Sequence, residues 1–339
     1  MTTPKAVKLP SGSWRIQIQI DGKRQSITAS TKTEVIQKAK KLRQSHQIEA
    51  RSSLTVGGAI DKYIESKDCI LSPSTILAYK RYRTTYLQDI MAIPLSDLTQ
   101  ELVQRCVNEE YKQGRSPKTL RNAHGLLSAV IRTYRPTLTL YTTLPQKTKH
   151  EVRIFTEDEM QRVWQAANGT EYNLPILLAS WLGMRMSEIL GLYYEDLVGN
   201  RIHIHRAVVR GENGEVEKST KSISGDRWVK CPEEIQNIIG EGSGRIVTMT
   251  SIMVYKGFLR ICEQAGVTPC RFHDLRHFAA SEAHSLGVPD KYLMRRMGHK
   301  TDNMLKTTYE HVMRDKEDAF SDIIDLHMSQ LHTQMHMKK

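Results

Sequence analysis

Long apolar runs and paired cysteines are both missing from this 339-residue sequence. No stretch of 18 or more apolar residues occurs, so no transmembrane helix and no membrane partner are predicted. The first residues, MTTPKAVKLPSGSW, have no apolar segment of the kind that a secretory signal peptide needs. The five cysteines are scattered and form no CxxC pair, which argues against a zinc site and a disulfide framework. These absences fit a protein of a reducing cytoplasm best.

Acidic residues are scarce in the first part of the chain. Residues 1–150 contain 25 Lys and Arg against 11 Asp and Glu, so their net charge is +14, whereas the net charge of the whole chain is +12. The remaining residues therefore have a net charge of −2. Because lysine and arginine displace the counterions around phosphates, a basic half of this kind favours a nucleic-acid partner. A basic protein with only a solvated surface is the alternative that charge leaves open.

Residues 1–50 are predicted to form a small sheet-plus-helix module that binds DNA. Apolar and polar residues alternate in WRIQIQI, which indicates a half-buried strand, and DG signals a hairpin turn into KRQSIT. TKTE then has the form of a capping box before a basic helix. A two-stranded ribbon can enter a major groove. We therefore predict DNA contacts from Arg15, Lys23 and Arg24, with a merely basic domain as the alternative.

Residues 52–136 show four helical patterns and are predicted to form an all-α unit. Basic side chains stand beside hydroxyl and aromatic residues here, which suits contacts with a DNA backbone. An ordinary helical domain with a solvated charged face is the alternative. The predicted contact residues are Lys80, Arg81, Arg83, Lys118 and Arg121. Residues 137–152 have no helical period and are predicted to be an extended linker between domains.

Residues 153–318 are predicted to form a mixed, mainly α domain with a small antiparallel sheet. RIHIHRAVV and DRWVKCP are typical of strands, and most of the rest has helical periodicity. Residues 319–339 are predicted to be a tail helix with a short apolar stripe. The fold class is therefore a multidomain α+β protein.

Four short stretches of this last part contain residues suited to phosphate chemistry. In WLGMRMSEILGL, Arg185 lies inside an otherwise apolar helical run, where its guanidinium needs a partner. An anionic substrate and Glu188, three residues later, are both candidates for that partner. In STKSISGDR, Lys221 stands between two predicted strands and presents an ammonium group, with Lys218 as the second candidate.

The other two stretches supply histidines, a second arginine and a tyrosine. In FHDLRHFAA, His273 and Arg276 are three residues apart, so on a helix they share one face. The glutamate of an HExxH zinc site is absent, so no metal and no cofactor are predicted. In MRRMGHKTDNMLKTTYEHV, Gly298 indicates a helix end, His299 follows it, and Tyr309 offers a hydroxyl nucleophile.

GMRMSEI, HDLRH, MGH and TTYEH, in this order and at this spacing, resemble the motifs of the tyrosine recombinase family, also called phage-type integrases. The resemblance is strongest over residues 155–315. It implies that 153–318 is the catalytic domain and 52–136 the core-binding domain. Residues 1–50 resemble the arm-binding module of integrases from temperate phages and conjugative transposons.

The resemblance also implies a role for each site residue. Arg185 and Arg276 hold the scissile phosphate, His299 bonds one of its non-bridging oxygens, and His273 accepts a proton. Lys221 protonates the 5′-oxygen that leaves, and Tyr309 attacks to give a 3′-phosphotyrosine without ATP or metal. Met297 and the sequence Leu182-Gly183-Met184 depart from the usual family residues but leave these positions intact.

The implied partners are double-stranded DNA, at core and arm sites, and a homotetramer on paired DNA in the bacterial cytoplasm and nucleoid. A DNA-bending host factor and an excisionase are further partners that the resemblance allows. The tail helix either packs on its own domain or docks on a neighbouring protomer. Two other functions stay open: a host-type chromosome-dimer resolvase and a catalytically inactive DNA-binding regulator.

Overall fold

The computed structural model describes residues 5–20, 23–52, 54–147, 153–219, 225–298 and parts of 321–329. The chain separates into two compact units, residues 1–149 and 150–339. Three of the predicted site residues, Lys221, His299 and Tyr309, lie outside the described residues. None of the described helices is long and apolar enough to cross a bilayer.

The first unit begins with the predicted sheet-plus-helix module. Strands β1 (Val7–Lys8), β2 (Trp14–Ile20) and β3 (Lys23–Ala29) form an antiparallel sheet in that order, followed by helix α1 (Lys32–Ser52). The alternation of β2 buries Ile16 and Ile18 against Val35 and Ala39 of α1. One half of the predicted capping box is present, since Thr31 Oγ1 accepts the N–H of Glu34 at 3.2 Å. The Glu34 carboxylate instead accepts a hydrogen bond from the Ser30 hydroxyl.

Four α-helices and one short 3-10 helix (Gln88–Ile90) follow in the described residues of the first unit and confirm the predicted all-α architecture. The α-helices are α2 (Val56–Glu65), α3 (Pro73–Thr85), α4 (Gln100–Lys112) and α5 (Pro117–Tyr134). Proline stands at the start of α3 and α5, where its missing N–H costs no helical hydrogen bond. Amphipathic faces of these helices bury one apolar core that includes Ile60, Leu98, Val103, Leu127 and Val130.

The described part of the predicted linker is bound to these helices. Residues 138–147 form neither helix nor strand. Leu138, Leu140 and Leu144 nevertheless pack against the helical core. Gln104 of α4 exchanges two hydrogen bonds with the backbone of Thr143, at 2.8 and 3.0 Å. The segment has no regular secondary structure, and part of its backbone bonds to helix side chains.

Within its described residues up to 298, the second unit is mainly helical, with two small antiparallel sheets. Its helices are α6 (Glu157–Ala167), α7 (Asn173–Ser180), α8 (Met186–Ile189), α9 (Glu233–Ile239), α10 (Ser251–Gln264), α11 (Asp274–Ser285) and α12 (Asp290–Met297). One sheet has the order β4 (Leu197–Val198), β5 (Arg201–Ile204), β8 (Arg227–Lys230), and the other is the hairpin of β6 (Arg206–Gly211) with β7 (Gly214–Ser219). Their shared core is centred on Met160, Ile176, Phe258 and Leu275.

Two local expectations in this unit were wrong. The predicted strand RIHIHRAVV is two strands, because the chain leaves the first sheet at His205 and enters the hairpin at Arg206. Arg185 does not lie inside a helix, because Gly183 has a φ of +68° and separates α7 from α8. Arg185 itself is extended and stands immediately before α8. The predicted helix end at Gly298 is confirmed, since this residue is left-handed, with φ 65° and ψ 44°.

Candidate active site

Arg185 is held by the helix that it precedes. Its backbone N–H donates to Glu188 Oε2 at 2.9 Å, and its Nη1 donates to Glu188 Oε1 at 2.6 Å. Its Nη2 donates to the carbonyl of Gly298 at 3.0 Å. Glu188 is therefore a partner of Arg185, as one of the two alternatives predicted. About a third of the arginine side chain, 34%, is still exposed, so an anion can reach the guanidinium.

Glu188 is buried, with 4% of its side chain exposed, and it binds two arginines. Arg227 forms a bidentate pair with it, through Nη1 to Oε1 at 3.1 Å and Nη2 to Oε2 at 2.8 Å. Burial alone raises the pKa of Glu188, but the hydrogen bonds and charges of Arg227 and Arg185 outweigh it and lower the pKa to about 2. The carboxylate is therefore ionised at neutral pH. Two cations around one anion leave this cluster with a net charge of +1.

Arg276 reaches the same region from helix α11. Its residue surface is only 2% exposed. Nη1 donates to the carbonyl of Gly183 and Nη2 to the carbonyl of Met297. Arg185 and Arg276 thus contact adjacent carbonyls, of Gly298 and Met297, at the C-terminal end of α12. The structure brings together these two predicted arginines and the helix end that precedes His299 in the sequence.

His273 stands immediately before α11, one helical turn from Arg276. It is solvent-exposed, yet protein atoms surround its ring closely enough for desolvation to lower its pKa. The positive charges of His277, Arg276 and Arg185 lower it further, to about 4. The ring packs edge-on against His277, with centroids 5.1 Å apart. At neutral pH His273 is uncharged, which is the state that can accept a proton.

Gly183 and Met297 form a close contact between the α7–α8 connection and the end of α12. A Cβ atom at Gly183 would lie 2.2 Å from the Sδ of Met297, so any other residue here would require the Met297 side chain to move. The positive φ of Gly183 also disfavours other residues. Because its carbonyl accepts from Arg276, this glycine fixes the position of the arginine relative to α12.

The hairpin of β6 and β7 leads to the predicted lysines. Lys218 lies on β7 opposite Ala207 and is half-buried, whereas Lys221 follows the last described residue of the hairpin. Glu217 accepts from the Tyr193 hydroxyl at 2.8 Å, and Glu215 accepts from the N–H of Ser251 at 2.8 Å. The stem of the hairpin is thereby anchored to the rest of the unit.

The predicted DNA contacts of residues 1–50 lie on the ribbon of β2 and β3. Arg15 and Arg24 are exposed, and Arg15 pairs with Thr28 and Arg24 with Gln19 across the ladder. These pairs alternate with the isoleucine pair that faces α1, so both arginines lie on the opposite face. Lys23 is the first residue of β3 and pairs with Ile20 in the ladder.

The basic residues predicted in the helical unit divide into two kinds. Arg81 and Lys118 are exposed, and Lys80 is half-buried. Arg83 instead donates to the carbonyl of Gly57 at 3.1 Å and to Asp61, and Arg121 donates to the carbonyls of Leu144 and Pro145. The last two arginines therefore already have partners inside their own unit.

Arg227 is the residue of this site that sequence reasoning left without a role. It begins β8 with 4% of its side chain exposed. The strand alternates between buried and exposed residues, and Arg227 shares the buried side with Val229. The sequence signal for this role was a charged residue at a strand position where the alternation calls for a buried, apolar residue. Among the described residues, no group of three His, Cys, Asp or Glu is placed to hold a metal ion.

Residues 153–316 match the model of the phage integrase family. A tyrosine recombinase XerC-like protein of Caldanaerobacter subterraneus subsp. tengcongensis is 23% identical over 306 residues, which covers 75% of this chain and 78% of that protein. A putative prophage phiRv2 integrase of Mycobacterium tuberculosis is 30% identical over 191 residues, and the match covers 50% of each chain.

Two groups of solved structures share the fold. The Tn1549 transposon integrase, in complex with transposon right end DNA, matches with a TM-score of 0.65 at 19% identity, covering 80% of this chain and 100% of that one. A lambda integrase tetramer bound to a Holliday junction matches with a TM-score of 0.56 at 20% identity, covering 90% and 94% of the two chains.

Proposed function

We propose that the chain is a tyrosine recombinase of the phage integrase family, whose model residues 153–316 match, and that it integrates and excises a mobile DNA element. Its activity is that of a tyrosine-type site-specific recombinase, a DNA strand transferase. The observation that best supports the assignment is the convergence of Arg185 and Arg276, from two separate motifs, on adjacent carbonyls of the α12 end. His273 stands one helical turn from Arg276, within the electrostatic influence of both guanidiniums.

In the proposed reaction, Arg185 and Arg276 bind the non-bridging oxygens of the scissile phosphate. Guanidinium groups suit this task because their planar donors stay charged and match phosphate geometry. The extra charge of the transition state then meets fixed donors that need little reorganisation. Arg185 is open to solvent in part, while Arg276 is buried and positioned by two backbone carbonyls.

Tyr309 is the proposed nucleophile. A tyrosine hydroxyl has an ordinary pKa of about 10, so its attack at neutral pH needs a proton acceptor. His273 is the proposed acceptor, because it stands one helical turn from Arg276 and is uncharged at neutral pH. The tyrosine oxygen forms a bond to phosphorus, and the bond from phosphorus to the 5′-oxygen breaks. Lys221, or Lys218 as the second candidate, protonates that oxygen, and His299 bonds a non-bridging oxygen.

The 3′-phosphotyrosine retains the energy of the original ester. A 5′-hydroxyl of another strand can therefore attack it and release Tyr309, so strand exchange needs neither ATP nor a metal ion. This is a property of the phosphodiester exchange itself, since one ester bond is formed for each that is broken.

Double-stranded DNA is the proposed partner of both units. In the first unit, residues 1–50 bind distal arm sites through the exposed ribbon face with Arg15 and Arg24. Residues 52–136 contact the core-site backbone, with Arg81 and Lys118 as the exposed candidates. The related Tn1549 and lambda integrases were solved with bound DNA. We propose that the chain acts in the bacterial host cytoplasm, at the nucleoid.

A homotetramer on two paired duplexes is the proposed working assembly. The lambda integrase that shares this fold is a tetramer on a Holliday junction. In the tail, Ile324, Leu326 and Met328 have exposed fractions of 58 to 63%. We propose that this apolar tail docks on a neighbouring protomer, and that a DNA-bending host factor and an excisionase assist. Truncation at about residue 318 should then prevent tetramer assembly on synaptic DNA in size-exclusion chromatography; unchanged assembly would rule the docking out.

The decisive experiment uses nicked duplexes tiled across the ends of the element that encodes the chain. A nick next to the cleavage point traps the covalent complex, because the short strand with the free 5′-hydroxyl diffuses away. Wild-type protein should give a denaturation-resistant DNA adduct whose tryptic peptide contains Tyr309. Tyr309→Phe should bind the same duplexes and give none. An adduct from the phenylalanine variant, or none from wild type, would reject the assignment.

A host-type chromosome-dimer resolvase is the second candidate, supported by the XerC-like relative that covers 75% of this chain. The basic module of residues 1–50 favours the integrase, because host-type resolvases usually begin at the helical core-binding domain. Deleting residues 1–50 should abolish binding to distal repeat sites and leave weak cleavage at the core site. If the deletion leaves distal binding unchanged, the arm-binding role is lost and the resolvase becomes the better assignment.

A further inference from the structure

Arg227 is the least exposed of the arginines that contact Glu188, and no step of the reaction described above uses it. Its guanidinium makes four hydrogen bonds, two to Glu188, one from Nε to the carbonyl of Arg296 at 2.8 Å, and one to the carbonyl of Gly225 at 3.3 Å. Arginine side chains are rarely buried in this way without a partner for each donor direction. Arg227 therefore connects β8, α8 and α12 through one side chain.

The contact with Arg296 is one of three similar hydrogen bonds at the end of α12. The carbonyls of Arg296, Met297 and Gly298 are consecutive, and they accept hydrogen bonds from Arg227, Arg276 and Arg185 respectively. The last carbonyls of a helix have no partner within the helix and need donors from elsewhere. They also form the negative end of the helix dipole, which favours cations. Three arginines from three distant segments thus fix the end of α12, the turn that precedes His299 in the sequence.

Charge gives Arg227 a second effect. Glu188 lies between Arg185 and Arg227, and its carboxylate bonds to both. Without Arg227, Glu188 and Arg185 would form a pair with no net charge, and the pair would attract a phosphate less strongly. With Arg227 present, the cluster has a net charge of +1, and the donors of Arg185 that point away from Glu188 stay available to an anion.

We propose that Arg227 is a positioning residue for DNA strand cleavage. Through Glu188, it holds the Arg185 guanidinium at a fixed position relative to the end of α12, and it also offsets the charge of Glu188. Arg227 does not contact the reacting atoms in this proposal. The proposal rests on the proposed recombinase function, and it extends that function by adding a third arginine, which supports the two that bind the phosphate.

The test compares Arg227→Met and Arg227→Lys in the full chain, on the duplex that wild type cleaves. Methionine retains much of the side-chain volume without charge or donors, and lysine retains the charge without the bidentate geometry. Arg162→Met is the matched control, because Arg162 also donates to carbonyls at a helix end, those of Ala265 and Gly266, but is exposed and contacts neither Glu188 nor α12. Single-turnover cleavage rate, core-site affinity and urea unfolding are measured for each.

We expect Arg227→Met to slow cleavage about 100-fold, the order of loss caused by misplacing a reacting group by about 1 Å. Arg227→Lys should fall between it and wild type, and core-site affinity should change less than threefold. Arg162→Met should cleave at the wild-type rate. Cleavage by Arg227→Met within threefold of wild type, or a loss of affinity as large as the loss of rate, would overturn the proposal.

A duplex with a methylphosphonate at the scissile position separates the charge effect of Arg227 from a simple loss of structure. That phosphate is uncharged, so the effect of Arg227→Met should shrink by about tenfold or more relative to the normal duplex, because the lost charge then matters less. Equal slowing on both duplexes would contradict the charge effect. If the methionine variant does not unfold cooperatively, Arg227→Lys decides by the same rates on its folded protein. Absence of any adduct with wild type counts against the recombinase assignment and not against Arg227.

Discussion

Replacement of Gly183 by alanine tests the contact that holds Arg276 in place. The new Cβ would lie 2.2 Å from the Sδ of Met297, and Met297 is itself 1% exposed, so it has little room to move. Forcing an extra carbon into a packed core typically costs about 1–3 kcal/mol. The backbone adds to this, because a non-glycine residue at φ +68° costs about 1–2 kcal/mol. We expect a loss of roughly 2–5 kcal/mol in the free energy of unfolding.

Gly169 provides the matched control for this variant. It has a similar φ, +76°, but a Cβ there would meet no atom within 4 Å. Gly169→Ala should therefore show only the backbone cost of about 1–2 kcal/mol. Urea unfolding of both variants measures the difference, and the cleavage assay shows whether Gly183→Ala also displaces Arg276. If both variants lose the same stability, the contact with Met297 is not tight in solution and the reasoning fails.

Met297→Ala in the Gly183→Ala background gives an internal check. Removing the methionine side chain removes the clash but leaves a cavity. The second substitution should therefore cost less in the Gly183→Ala protein than in wild type. Equal costs in both backgrounds would show that the two residues do not interact.

Three further predictions concern charge. First, His273 and His277 have lowered pKa values in the folded chain, His273 about 4, so the unfolded chain binds more protons between about pH 6.5 and pH 4. The stability that these histidines contribute should be fully present above about pH 6.5 and should fall as the pH is lowered through this window. Urea unfolding at several pH values measures how the free energy of unfolding changes with pH, and an unchanged slope in His273→Ala would contradict the prediction. Second, Glu188→Ala leaves Arg227 buried without its carboxylate and should cost about 3–5 kcal/mol in thermal or urea unfolding, whereas the exposed control Glu234→Ala should cost about 1 kcal/mol or less. An equal cost for both would show that the buried pair is not formed. Third, Arg83→Ala should lower the stability of the helical unit, since it removes bonds to Gly57 and Asp61, and Arg81→Ala should instead weaken DNA binding and reduce its salt dependence. Gel-shift titrations at several salt concentrations check this, and reversed effects of the two alanines would refute it.

Local patterns predicted much of the fold because they depend on short-range geometry. The two-residue period of WRIQIQI and the helical periods of the first unit follow from backbone repeat lengths, and both elements are present. Gly298 was identified as a helix end because few other residues adopt the left-handed conformation. Arg185 was misplaced because an apolar run looks the same whether the helix continues or is interrupted at Gly183.

The sequence by itself determined which residue types could perform the chemistry, and the order of its four motifs indicated the family. It could not determine the partner of each arginine. Arg83 and Arg121 are predicted DNA contacts, and the structure shows that they also bind carbonyls and a carboxylate inside their own unit. Arg227 had no assigned role, yet it pairs with Glu188 and the end of α12. The physical reason is that a guanidinium donates equally well to a phosphate, a carboxylate or a backbone carbonyl. Which acceptor it meets depends on segments distant in sequence, and only the tertiary structure brings them within reach.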